Sequence, residues 1–221
     1  MKRSIYIILL LFLTACHQLT TTNNQPDTGG PGIRDTSAAG KTEIDSLAAS
    51  ISAKEQASTN KQETTDSLGG LVTTISFEVK TSNRKDYPDG IIPYASIEKA
   101  NADIPNLVNK DRLVIHDTTI QVIIDYPLNN PYTFRLYSPT GFTTAQLLRA
   151  ISKHYYILYE EEEKTATIKT LPLKKRKMYN RNETNGKYGI WGHDIGDLVL
   201  DEVMVYRNDK GVVTITLQME S

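Results

Sequence analysis

The chain has 221 residues, and its 25 Lys and Arg oppose 26 Asp and Glu, which gives a formal net charge of −1. This balance excludes a strong global attraction to nucleic acid. Cys16 is the one cysteine, so no internal disulfide can form. The sequence also lacks a phosphate-binding Gly-x-x-x-x-Gly-Lys-Ser/Thr loop and a Gly-x-Ser-x-Gly nucleophile turn, and we expect no cofactor.

The first residues have the order of a secretory signal. Two basic residues precede the apolar run Ile5–Phe12, which is too short to span a bilayer. The tetrad Leu13-Thr14-Ala15-Cys16 follows and resembles the lipobox of bacterial lipoproteins, whose cysteine receives diacylglycerol. We therefore predict a lipoprotein signal peptide at 1–15 and lipid attachment at Cys16. An ordinary signal peptide with a chance cysteine is the alternative.

The residues after Cys16 bear on location. Residues 17–21 contain no acidic side chain. An aspartate directly after the cysteine is the retention signal of many inner-membrane lipoproteins in enterobacteria, and acidic residues mark surface export in Bacteroidota. This resemblance implies the outer membrane, on its periplasmic face. Several acyl chains would make the anchor durable, since each buried methylene contributes about 0.8 kcal/mol.

Residues 16–70 have the composition of a lipidated N-terminus followed by a flexible linker. Thr, Ser, Asn, Gln, Gly and Ala dominate, and such a segment cannot bury enough apolar surface to offset its ordering entropy. Within Thr42–Ala57, Ile44, Leu47 and Ile51 recur at helical spacing, which indicates a transient or amphipathic helix at most. Two Asp-Ser-Leu triplets match a short O-glycosylation motif of Bacteroides-type bacteria, with coincidence as the alternative.

Residues 71–221 are long enough for one domain with one core. We predict an α+β fold in which an antiparallel sheet is packed by one main helix. Strands are predicted at Leu71–Thr81, Leu113–Ile115, Thr119–Tyr126, Tyr132–Tyr137, Thr165–Leu171, Leu198–Tyr206 and Val212–Met219. The last two flank Asn208-Asp209-Lys210-Gly211, a turn composition typical of hairpins.

The main helix is predicted at about 143–161. Thr143 and Gln146 have the spacing of a capping box, which satisfies donors at a helix start. Apolar side chains then recur at helical spacing and should lie on the sheet: Leu147, Leu148, Ile151, Tyr155, Leu158 and Tyr159. We expect Glu160–Glu163 to be a solvated helix end, because four adjacent carboxylates repel each other and oppose the helix dipole.

Three parts of this domain resemble a recurring domain of uncharacterised bacterial proteins, chiefly from Bacteroidota. They are Ile-Asp-Tyr-Pro-Leu at 124–128, Gly-Phe-Thr at 141–143 with Tyr-Glu-Glu-Glu-Glu at 159–163, and above all Asn-Gly-Lys-Tyr-Gly-Ile-Trp-Gly-His-Asp-Ile-Gly-Asp-Leu at 185–198. The resemblance covers about residues 71–221 and implies no particular activity.

Residues 172–197 form the candidate binding loop. A ligand cradle is one interpretation of its glycines, and a capped turn is the other, with Trp191 in the core and Asp194 or Asp197 bonded to backbone amides. The basic cluster could contact lipid headgroups or an acidic partner, or could face Glu160–Glu163. The candidate residues are Lys174, Lys175, Arg176, Lys177, Tyr188, Trp191, His193, Asp194 and Asp197.

Three functions remain open at this point. The first is a binding or structural module of the bacterial envelope, anchored by lipid and holding a protein partner. The second is an immunity-type lipoprotein that neutralises a delivered toxin. The third is a metal-assisted hydrolase built on His193, Asp194 and a helix carboxylate. Because no His-x-x-x-His or Glu-x-x-His spacing occurs, we predict neither a metal site nor catalytic residues.

Overall fold

The computed structural model describes residues 49–50, 52–54, 67–176 and 183–221. The predicted signal peptide, Cys16, Lys177 and most of the linker lie outside these ranges. Residues 49–50 and 52–54 are helical, within the segment where the sequence indicates a helix. In the described part of the chain, no helix is both long and apolar enough to cross a bilayer.

Ten strands lie in the described residues and are numbered in chain order. They are β1 (Gly70–Ser76), β2 (Val79–Lys80), β3 (Ile91–Ile92), β4 (Ala95–Ser96), β5 (Leu113–Ile115), β6 (Thr119–Ile124), β7 (Tyr132–Tyr137), β8 (Phe142–Thr143), β9 (Val199–Arg207) and β10 (Val213–Glu220). The single strand predicted at 71–81 is thus divided into β1 and β2. The other predicted strands match β5, β6, β7, β9 and β10 closely, except for one between residues 165 and 171.

The main sheet has the strand order β1-β9-β10-β6-β7, and β4 also pairs with β9. The β9–β10 hairpin is confirmed, and Asn208 Oδ1 accepts the N–H groups of Lys210 and Val212, each at 3.0 Å. β10 pairs with β6 in parallel, with Thr214–Thr216 beside Gln121–Ile123. The α+β class is confirmed, but the sheet is mixed rather than wholly antiparallel. The chain between β6 and β10 makes the crossover that a parallel pair requires.

Within residues 67–176 and 183–221, two helices accompany the sheet, α1 (Ala100–Asp103) and α2 (Thr144–Thr165). The predicted capping box of α2 is confirmed. Thr143 Oγ1 accepts the Gln146 N–H at 3.3 Å, and Gln146 Oε1 accepts the Thr143 N–H at 2.8 Å. The predicted apolar face lies in the core with side chains of β6, β9 and β10; its fully buried members are Leu147, Leu148, Ile151, Tyr155 and Leu158.

The chain after α2 differs from the prediction. The helix runs to Thr165, beyond the predicted end at 161, and residues 165–171 form no strand. Asn185 Oδ1 accepts the N–H groups of Thr167 at 3.0 Å and Ile168 at 2.7 Å. A side chain from a distant loop therefore satisfies amides that a strand partner would otherwise take. Short 3-10 turns lie at Ile104–Asn106, Leu173–Lys175 and Ile195–Asp197.

Candidate functional site

A buried carboxylate organises the glycine-rich loop. Glu162 lies in the last turn of α2 and is 1% exposed. Its Oε1 accepts the Thr184 hydroxyl at 2.6 Å and the Gly186 N–H at 2.7 Å. Its Oε2 accepts the N–H groups of Tyr188 at 2.7 Å and Gly189 at 3.2 Å. The loop thus forms an anion-binding nest, and the anion is supplied by the helix itself.

These donors also decide the charge of Glu162. Burial raises the pKa of the carboxyl, but the hydrogen bonds from Thr184 and from the backbone of Tyr188, Gly186 and Gly189 lower it further than burial raises it. The net effect is a pKa below the usual glutamate value. The ionised form is favoured even beside the negative end of the helix dipole, because three N–H dipoles point at it.

The expectation of a solvated helix end is wrong for part of the acidic run. Glu160 and Glu163 are exposed, as expected. Glu161 is half-buried and pairs with Lys187 Nζ at 2.9 Å, and it also accepts the Tyr188 hydroxyl. With Glu162 buried as well, the middle of the run faces the 184–189 loop instead of water.

Gly186 permits this close approach of loop and helix. A Cβ at this position would lie 2.7 Å from Thr165 Oγ1, 2.8 Å from Ala166 N and 2.8 Å from Glu162 Cδ. Ala166 N is a backbone atom and cannot move without shifting the helix end, and Glu162 Cδ is held by the hydrogen bonds of its carboxylate. Nearby Gly189 has φ +63°, a conformation that side chains rarely adopt. The glycines of this loop therefore serve backbone geometry around the carboxylate.

Trp191 and His193 lie in the core turn that follows. Trp191 is 2% exposed, its backbone N–H donates to Pro127 O at 3.1 Å, and its ring meets Tyr126 edge-on with centroids 5.2 Å apart. His193 is 6% exposed, and its Nε2 lies 2.8 Å from the Tyr126 hydroxyl. The Tyr159 hydroxyl donates to His193 O at 3.0 Å. This placement of Trp191 is the one that the capped-turn interpretation predicts.

A hydroxyl network extends from His193. The Tyr126 hydroxyl is 2.9 Å from Ser221 Oγ, which is itself 3.5 Å from His193 Nε2. Asp194, the next residue along the chain, has a different described partner, Arg176. The geometry therefore gives His193 a hydroxyl neighbour and Asp194 a guanidinium partner.

Arg176 and Asp194 form a bidentate ion pair. Arg176 Nη1 lies 2.7 Å from Asp194 Oδ2 and Nη2 lies 3.1 Å from Oδ1, and the Arg176 Nε–H donates to Leu171 O at 2.7 Å. The Arg176 side chain is only 7% exposed. Asp197 Oδ2 accepts the Asp194 N–H at 2.9 Å, which confirms the predicted backbone bonding in this turn. Arg176 therefore fixes the loop rather than presenting a free charge.

The other basic residues of the 174–177 cluster differ from Arg176 in their environment. Lys174–Lys175 are exposed in a 3-10 turn, and Lys177 lies outside the described residues. The carboxylates of Glu160 and Glu161 pair with lysines outside this cluster, Lys164 and Lys187. The exposed pair is thus the part of the basic cluster that the described structure leaves accessible.

An open cleft of about 560 Å³ lies beside the nest. Its lining residues are Asn129, Asn130, Ile168, Glu183, Thr184, Asn185, Gly186 and Gly189. Asn130 Nδ2 donates to Lys187 O at 3.2 Å, and Asn185 is held by the segment after α2. Ile168 is 58% exposed and adds an apolar surface. Sequence reasoning missed Asn129 and Asn130, although consecutive amides after a buried strand are a signal that could have drawn attention to them.

The described histidines lie in separate environments. His154 stacks on Phe134 with centroids 3.5 Å apart, and its Nδ1 lies 2.8 Å from the Tyr132 hydroxyl, whereas His116 is exposed. Burial lowers the pKa of His154, with a smaller contribution from the charge of a neighbouring lysine. Across residues 67–176 and 183–221 and the short helical piece, no three His, Cys, Asp or Glu side chains are grouped as metal ligands.

No protein-family model, no curated protein and no solved structure matches this chain. The cleft combines accessible amides, an exposed aliphatic side chain and a rim carboxylate on a loop fixed by Glu162.

Proposed function

We propose that this chain is a lipid-anchored protein of the bacterial envelope whose C-terminal domain is a binding module. In this proposal, 1–15 is removed, Cys16 carries lipid, and the domain works at the periplasmic face of the outer membrane. The order of basic residues, apolar run and Leu-Thr-Ala-Cys tetrad supports the anchor. The composition of residues 16–70 supports a flexible linker between lipid and domain.

The cleft beside the nest is the observation that carries the binding role. Asn129 and Asn130 offer donors and acceptors at its wall, Ile168 offers exposed aliphatic surface, and Glu183 offers a carboxylate. Such a mixture suits a partner with polar backbone groups and apolar side chains. Preorganisation reduces the entropic cost of binding, and the hydrogen bonds to Glu162 preorganise one wall.

Fractionation of cells tests the anchor. We expect the natural chain to incorporate labelled palmitate and to sediment with the outer membrane, and Cys16→Ser to lose the label and become soluble. His17→Asp keeps the cysteine and introduces the retention signal, so in an enterobacterial host it should move the labelled protein to the inner membrane. Equal fractionation of the natural chain and Cys16→Ser would contradict the anchor.

Site-specific photocrosslinking in cells tests the binding role. A photoreactive residue at position 168 should form an adduct with an envelope component, because Ile168 lines the cleft. Val212 is a matched control: it is also an exposed aliphatic residue, 45% against 58%, and it lies beside the β9–β10 turn. Identical adducts at both positions, or none at 168, would exclude the cleft as the binding surface.

A further inference from the structure

The linker contacts the domain at the rim of the cleft. Lys54, within the helical residues 52–54, forms a salt bridge with Glu183, which lines the cleft. The Lys54 side chain is 30% exposed and the Glu183 side chain 41%. This contact gives residues 52–54 of the linker a defined place beside the cleft.

The linker sequence complements the cleft beyond this ion pair. Lys54 follows Ile51 by three residues and Leu47 by seven, which is the sequence spacing of an amphipathic segment. The cleft offers a matching pair of features, the Glu183 carboxylate and the exposed Ile168 side chain. An amphipathic segment of this kind is only marginally helical alone, and docking would provide the apolar contact that it lacks.

We propose that the linker docks at the rim of the cleft through its described residues 49–50 and 52–54, held there by Lys54 and Glu183. The external ligand is then a peptide segment of the same chemistry, with a lysine three or four residues after an aliphatic side chain. It binds by displacing the linker. Only this statement about the external ligand rests on the binding role proposed above; the docking of the linker is independent of it.

Zero-length crosslinking tests the docking in the soluble Cys16→Ser chain. A carbodiimide activates the Glu183 carboxylate, the Lys54 amine displaces the urea leaving group, and an amide forms between Nζ and the carboxyl carbon with net loss of water. Lys41 and Lys61 are matched controls because they lie in the same linker. We expect the 54–183 product to exceed the 41–183 and 61–183 products by at least about tenfold. Equal yields would indicate random encounters and would overturn the proposal.

Amide hydrogen exchange in charge-reversed variants is a second test of the docking. Lys54→Glu and Glu183→Lys should each accelerate amide exchange at 49–54 by about threefold or more, the scale of an exposed ion pair. The double variant, which swaps the charges, should restore protection. Lys61→Glu is the control and should leave exchange at 49–54 unchanged. Failure of the swap to restore protection would overturn the ion pair as the docking contact.

A synthetic peptide distinguishes the docking of the linker from the binding of an external peptide. The sequence of residues 42–57, added in trans, should bind the Lys54→Glu chain more tightly than the natural chain, where the linker competes. A peptide carrying the Lys54→Glu change should not bind either chain. Crosslinking at Glu183 without peptide binding would keep the docked linker and overturn the external peptide ligand. Failure of the photocrosslink at position 168 alone would remove the envelope partner and leave docking intact.

Discussion

At the scale of single residues, Glu162 makes more stabilising contacts than its place in a run of four glutamates would indicate. It lies among four adjacent glutamates, yet it alone is nearly inaccessible and receives four hydrogen bonds from the 184–189 loop. A carboxylate is the group that can accept all of them, because it offers acceptor oxygens without donors. Loss of that property leaves buried N–H groups unsatisfied.

We predict that Glu162→Gln lowers the free energy of unfolding by about 3 kcal/mol, since an amide NH2 would face N–H donors in a buried site. Urea unfolding followed by fluorescence measures this, because Trp191 is the one tryptophan and lies in the adjoining turn. Glu160→Gln is the control: Glu160 is exposed and pairs with Lys164, so its loss should cost less than about 1 kcal/mol. Equal costs for both variants would contradict the role of Glu162.

Low pH should lower the unfolding free energy of the natural protein through protonation of Glu162. The pKa of Glu162 is lower in the folded state than in the unfolded chain, so its stabilisation is complete above the unfolded value of about 4.3 and is lost as pH falls through the folded pKa. Unfolding free energies of the natural chain and Glu162→Gln should therefore converge below about pH 4. A difference that stays constant down to pH 2 would exclude this linkage.

At the scale of elements, the end of α2 and the 184–189 loop form one unit because Gly186 lies against the helix. We predict that Gly186→Ala costs about 2 kcal/mol or more, since the added Cβ meets backbone and carboxylate atoms that are closely packed. Gly70→Ala is the matched control, because a Cβ at Gly70 meets nothing within 4 Å. Thermal unfolding of both variants gives the comparison, and similar midpoints would contradict the packing at Gly186.

The elements that sequence reasoning predicted well are those determined by local pattern. The capping box at Thr143, the apolar face of α2 and the β9–β10 hairpin each depend on residues close together in the chain. The burial of Glu162 depends on donors more than twenty residues away, and the local repulsion of four carboxylates favours the opposite result. The strand predicted at 165–171 is wrong for a similar reason, because Asn185, which is distant in sequence, accepts the N–H groups of Thr167 and Ile168.

The same contrast between local pattern and distant contacts applies to the candidate binding loop. The sequence pattern correctly predicted that Trp191 lies in the core and that an Asp side chain accepts a backbone N–H in the turn near Asp194. The consecutive amides Asn129 and Asn130 are a local signal, but the pattern could not show that they line a cleft with Ile168 and the 183–189 loop. Spatial proximity of this kind leaves no periodic signal in a single sequence.

At the scale of the whole molecule, the position of a strand in the sheet determines how much stability is lost when one of its side chains is shortened. Ile215 lies in β10, between β9 and β6, and is fully buried, whereas Val72 lies in the edge strand β1 and is 56% exposed. We predict that Ile215→Ala costs about 3 kcal/mol and Val72→Ala less than about 1 kcal/mol. Chemical denaturation measures both. Comparable costs would contradict a core centred on β9 and β10.

The central position of β9 and β10 also determines when the domain can fold. These are the last two strands in the sequence, yet β1 and β6 pair with nothing in the main sheet except them and β7. A chain that emerges from its N-terminus first cannot close this sheet until residues 213–220 are available. Until then β1 and β6 lack their partners at the centre of the main sheet, so the sheet stays incomplete however much of the N-terminal part is available.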